Sequence, residues 1–213
     1  IYAIHNQPNG PHGKIKLRPG PAMAAADFFD IRITGRGAHA AQPQQGIDPI
    51  VVGATLVQAL QSIVSRNADP LKAAVVSITQ IHAGAAYNVI PESAHLAGTV
   101  RTFDAELRSL IARRIRELAE GYAAAYGVEI AVDVRDVFSV LENAGAQAAA
   151  AAEIATELFG AEKVDADCKP KMGSEDFAYM LEHRPGAYIR LGNGTGEDGG
   201  IRKPYPTKEG GPR

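Results

Sequence analysis

Residues 27–67 read DFFDIRITGRGAHAAQPQQGIDPIVVGATLVQALQSIVSRN, and this stretch decides the fold. Its start alternates: Phe29, Ile31 and Ile33 are apolar, while Asp30, Arg32 and Thr34 between them are polar. That period of two is the mark of a half-buried strand. Beyond Pro43 the spacing changes, and Ile50, Ala54, Val57, Leu60, Ile63 and Val64 fall on one helical stripe. Asp48 is placed to cap that helix, and Pro49 takes its first position, where the missing N–H costs nothing. A strand followed by a helix is therefore expected.

Working outward, LKAAVVSITQIHAG and SAHLAGTVRTF read as two more strands around an NVIPE turn. A second helix is expected over 104–126, with Leu107, Leu110, Ile111, Ile115, Leu118 and Ala119 on its apolar side and Gly127 as C-cap. VEIAVDVRDVF closes the series as another alternating strand. The order β-α-β-β-α-β predicts an antiparallel sheet with two helices on one face. Before it, residues 1–26 hold one short apolar run among Pro and Gly. After it come a helix over 146–159, a strand-like approach at EKVDADCKP, a helix opened by Ser174 in MGSEDF, and a buried strand in GAYIRLGNG. Neither flank has enough strands for an α/β core of its own. The segments 1–26 and 138–213 are thus read as parts of one domain interrupted by the domain 27–137.

The 213 residues are 46% hydrophobic and 22% charged, with a net charge of −2. This is ordinary globular composition. No basic stripe exists to neutralise phosphates, so no nucleic-acid partner is expected, and no apolar run has the length of a membrane span. The single cysteine, Cys168, has no internal disulfide partner, which points to a reducing, cytoplasmic setting.

Some residues have chemistry to offer. His5 ends the first apolar run, where it suits a metal ligand, a base or a hydrogen-bonded structural histidine. His39 lies among Gly37, Ala38, Ala40 and Ala41, which leave its ring unobstructed. Asn88 and Arg101 fall at turns or strand ends of the same domain, and an amide with a guanidinium suits a carboxylate. Glu175 and Asp176 precede a helix, where they either complement its dipole or serve a site.

AIHNQPNGPHG, GPAMAAADFFDIRITGRGAHAAQPQQGIDPIV, LQSIVSRNADP, AGAAYNVIPESAHLAGTVRTF, MGSEDFAYML and PGAYIRLGNG, taken together and in order, resemble the M20 metallopeptidase family. The nearest branch is similar to the amidohydrolases that cleave N-acyl amino acids, hippurate hydrolases among them. The resemblance implies an α/β fold: a metallopeptidase-type catalytic domain, only part of which is in this chain, with an inserted β-α-β-β-α-β (ferredoxin-like) lid and dimerisation domain. It further implies two divalent ions, zinc or manganese, and a homodimer formed through the lid. The implied substrate is an N-acyl amino acid or a dipeptide-like molecule. By the same resemblance His5 is a metal ligand, and His39 reaches across the dimer to polarise the scissile carbonyl. Asn88 and Arg101 grip substrate, and Glu175 and Asp176 lie near the site in unassigned roles.

Two departures qualify this. The family's upstream half, with its further ligands and general base, is not in these residues, so Ile1 is expected to begin mid-domain. Where relatives place a last ligand histidine, this chain has Arg202, whose guanidinium cannot ligate a metal. The expectation is an amidohydrolase-type chain that is inactive as it stands, with an incomplete metal set. The competing reading is a metal-free dimerisation or carboxylate-binding module.

Overall fold

The computed structural model describes residues 1–8 and 10–194. Arg202 lies outside the described residues. The chain divides into two compact units: a flanking unit built from Ile1–Met23 and Val140–Arg213, and a central unit, Ala24–Ser139. The central unit starts three residues earlier and ends two later than the periodicity of 27–137 indicates. Its first strand extends back to Ala25, where it pairs with Thr102, and Ala26 pairs with Phe138.

In chain order the flanking unit opens with strands β1 (Tyr2–Gln7), β2 (Ile15–Lys16) and β3 (Gly20–Met23). The central unit holds β4 (Ala25–Thr34), β5 (Ala38–His39), helix α1 (Pro49–Ser62), β6 (Ala74–Ala83), β7 (Val89–Ile90), β8 (Ser93–Thr102), α2 (Ala105–Tyr126) and β9 (Glu129–Phe138). The flanking unit resumes with β10 (Leu141–Asn143), α3 (Gly145–Phe159), β11 (Val164–Asp165), α4 (Phe177–His183) and β12 (Ala187–Gly192).

In the central unit an antiparallel sheet runs β6-β8-β4-β9, covered by α1 and α2. Its alternation is what the sequence shows, with Phe29, Ile31 and Ile33 wholly buried against Leu56, Leu60, Leu96, Ile111 and Ile115. Gly98 permits this packing, because a Cβ there would collide with the Phe29 ring and the Ser77 carbonyl. Both helix starts are capped: Asp48 Oδ1 accepts from the Ile50 N–H at 2.8 Å, and Asp104 Oδ1 from that of Leu107 at 2.7 Å. Gly127 closes α2 at a left-handed φ of 66°. Beneath the sheet, Asp27 is buried and accepts from Nε of Arg108 at 2.8 Å and also from its Nη2.

The stripe expected on α1 is corrected in its first half: Ile50 and Ala54 face outward, while Pro49, Val52, Gly53 and Leu56 are buried; Val57, Leu60, Ile63 and Val64 do pack in the core. The helix is apolar on nearly every side, so period alone does not select a face, and the sheet beneath it does. The NVIPE turn also proves to contain β7, which leaves the β6–β8 hairpin to pair with β5.

In the flanking unit a four-stranded sheet runs β1-β12-β2-β11, with β1 parallel to β12 and β11 parallel to β2. Helix α3 packs on the side carrying Ile15, Leu17, Ala187 and Ile189. The other side, with Tyr188, meets Phe177 and Ala178 of α4. Ser174 does not open α4 as expected: the helix starts at Phe177, and Asp176 holds the cap position without a side-chain capping bond. Among the described residues no helix is long and apolar enough to cross a membrane.

Candidate functional site

In the central unit, β5 and β7 form a short antiparallel ribbon with Ala38 opposite Ile90 and His39 opposite Val89. The Ala40 N–H donates to the Asn88 carbonyl at 2.9 Å, which ties the two loops together. His39 and Asn88 are thereby neighbours, both exposed. The Ala41 N–H donates to Nδ1 of His39 at 3.1 Å. A nitrogen that accepts carries no proton in the neutral ring, so Nε2 is the N–H, directed away from its own loop. The small neighbours seen in the sequence keep this donor open.

Arg101 does not join this pair within one chain. It lies near the end of β8, opposite Val75 and Ala26, and its Nε donates to Thr99 Oγ1 at 3.1 Å. Eight residues of strand separate it from Ser93, where β8 leaves the ribbon. At about 3.3 Å per residue that is roughly 26 Å. The expected cluster of three is therefore a pair and a distant guanidinium.

In the flanking unit His5 is exposed on β1, with Nδ1 at 2.6 Å from the Asn6 carbonyl. Such a contact makes Nδ1 the N–H and leaves Nε2 as the nitrogen that could ligate. The His5 ring lies 6.3 Å from that of Tyr188, whose hydroxyl donates to Glu175 Oε2 at 2.7 Å. Burial and then the Glu175 carboxylate push the Tyr188 phenol well above its ordinary range, so it stays a donor. Tyr188 thus links His5 and Glu175, while Asp176 points to solvent at the start of α4. Sequence reading missed Tyr188. The alternation in GAYIRLGNG puts it and Arg190 on one face, but nothing local names its partner.

The residues present were expected to supply an incomplete metal set. Among the described residues no three His, Cys, Asp or Glu side chains converge to hold an ion. The His5 imidazole by itself does not make a metal site.

Comparison with known proteins is consistent across the chain. Residues 26–127 match the M20 peptidase dimerisation domain. Over 198 residues the chain is 43% identical to an N-acetylcysteine deacetylase of Bacillus subtilis, covering 92% of this chain and 51% of that protein. It is 39% identical to a hippurate hydrolase of Campylobacter jejuni, covering 91% and 50%. A solved Bacillus subtilis structure described as a dinuclear metal binding peptidase superposes with a TM-score of 0.71 at 35% identity, covering 91% and 48%. The chain spans about half the length of the curated relatives it matches.

Proposed function

From the premise that this chain belongs to the M20 peptidase family and carries its dimerisation domain at residues 26–127, we propose that it serves the hydrolysis of N-acyl amino acids. We further propose that residues 1–213 alone do not complete the reaction. The observation that carries the reading is the His39–Asn88 pair, with Nε2 of His39 as an outward donor. An imidazole N–H in a loop tied to the Asn88 backbone suits the carbonyl oxygen of an amide as it gains charge, where one donor is worth about 3–4 kcal/mol. Arg101 would hold the substrate carboxylate, which fixes orientation. Its separation of roughly 26 Å along β8 favours a homodimer in which His39 and Asn88 of one copy serve a site on the other. His5 would be one metal ligand, with Glu175 beside it through Tyr188, and Asp176 in a peripheral role.

The metal-free carboxylate-binding module is the second reading, favoured by the want, among the described residues, of three converging His, Cys, Asp or Glu side chains. A hydrolysis assay with hippurate and N-acetylcysteine, supplemented with zinc or manganese, separates the two. The chain alone is expected to give no turnover. Co-expression with the half of the 43% identical relative that this chain does not match should restore turnover, and His39→Ala should cut it by about a hundredfold or more. If turnover never appears, yet hippurate binds and Arg101→Ala abolishes binding, the module reading replaces this one.

A further inference from the structure

Across the sheet of the flanking unit, on the side away from α3, polar residues stand in one row. His5 is in register with Arg190, and Arg190 with Lys16. Paired residues on neighbouring strands direct their side chains to the same face. Arg190 is 6% exposed, and among the described residues no carboxylate forms an ion pair with it. Its Nη2 donates to Cys168 Sγ at 2.8 Å and to the Lys169 carbonyl at 3.4 Å. Its Nη1 is buried with no acceptor. Lys171 lies in the same field: burial, then the charges of Arg190 and Lys16, hold its ammonium below the ordinary lysine range. Buried charge without a counter-charge is costly, as is a buried donor without an acceptor.

The missing group is an acceptor that carries negative charge. The atom already in contact with the guanidinium is the Cys168 sulfur. A sulfur bearing two oxygens would offer one to each arm of the fork, the geometry in which arginine holds carboxylates.

We propose that Cys168 is an oxidation site whose sulfinate product is held by Arg190. Hydrogen peroxide is the oxidant. The sulfur electron pair attacks one peroxide oxygen, the S–O bond forms as the O–O bond breaks, and the thiol proton leaves with the other oxygen as water. Sulfur loses two electrons and peroxide gains them. A second peroxide repeats the step on the sulfenic acid, giving a sulfinic acid that ionises. Cys168 is 5% exposed and lies between exposed Asp167 and Lys169, in the segment joining β11 to α4. Local opening of that segment admits peroxide.

The chain has one cysteine, and tryptic cleavage isolates it in the peptide 164–171, VDADCKPK, which contains no methionine. Native protein is titrated with peroxide, treated with dithiothreitol, digested and weighed. The peptide is expected to gain two oxygens that resist reduction. Arg190→Leu should lower the yield roughly tenfold, the loss of a charge-assisted hydrogen bond. Arg190→Lys, which keeps the charge and loses the fork, should fall between. An unmodified peptide, at a peroxide level that oxidises it in the urea-unfolded chain, would overturn the proposal. Equal yields in the parent and Arg190→Leu would do the same. Should Arg190→Leu fail to fold, Arg190→Lys decides: a yield equal to the parent's contradicts the fork, and a lower one supports it.

Discussion

The central and flanking units build their cores differently. The central unit gathers its large side chains into one cluster, in which Phe29, Ile31, Ile33, Leu56, Leu60, Ile111 and Ile115 have no exposed surface, although Leu71 and Tyr87 in its loops stay almost fully exposed. The flanking unit divides its apolar residues among two small clusters. It leaves Ile4 and Leu158 each 70% exposed, with Tyr2, Ile154 and Phe159, around a cavity of about 370 Å³. The difference teaches that burial, rather than hydrophobic content, decides which part of a chain holds itself together.

The largest effects that could break this contrast come from the core. Phe29→Ala is expected to cost about 3–5 kcal/mol in urea denaturation followed by circular dichroism. Ile4→Ala should stay within about 0.5 kcal/mol. A large loss at Ile4 would show that the flanking sheet also relies on the open part of its α3-facing side. Next comes the buried ion pair. Arg108→Met strands the Asp27 carboxylate, 2% exposed, and is expected to cost about 3 kcal/mol, recovered in part by adding Asp27→Asn. If the single change is silent, water reaches Asp27 and the central core is less closed than described.

The smallest effect lies at the surface start of α2. Asp104 is held below its ordinary range by the Lys72 ammonium and the Leu107 N–H, and Lys72 is raised by Asp104. The depressed carboxyl contributes above its unfolded value, and that contribution is lost as pH falls through its folded value. The raised ammonium contributes below its unfolded value and is lost as pH climbs through its folded one. Melting curves of parent and Lys72→Met should therefore differ slightly across neutral pH and converge in acid and in strong base. Salt should shrink the gap, because both groups are in reach of solvent.

Legibility followed the same divide. The central unit could be read because its signals are local: the alternation at Phe29, Ile31 and Ile33, the caps Asp48 and Asp104, and Gly127. The buried face of the first half of α1 was illegible, since Ile50, Val51, Val52, Ala54 and Leu56 offer apolar side chains all round, whereas Val57, Leu60, Ile63 and Val64 pack in the core as their spacing indicates. At the site, His39 and Asn88 were legible as residues, but their juxtaposition depends on the β5–β7 pairing, which no local pattern signals. Arg101 was grouped with them although the length of β8 already separates them. Tyr188, Arg190 and Cys168 meet partners 13 to 22 positions away, and such contacts are a property of the fold.

The most direct test of the contrast is amide hydrogen exchange on the intact chain. Amides in residues 96–100 and 111–115 are expected to exchange only through global unfolding of the central unit. Those of Tyr2–Gln7 should exchange roughly a hundredfold faster or more. Equal protection of β1 and β8 would contradict the account.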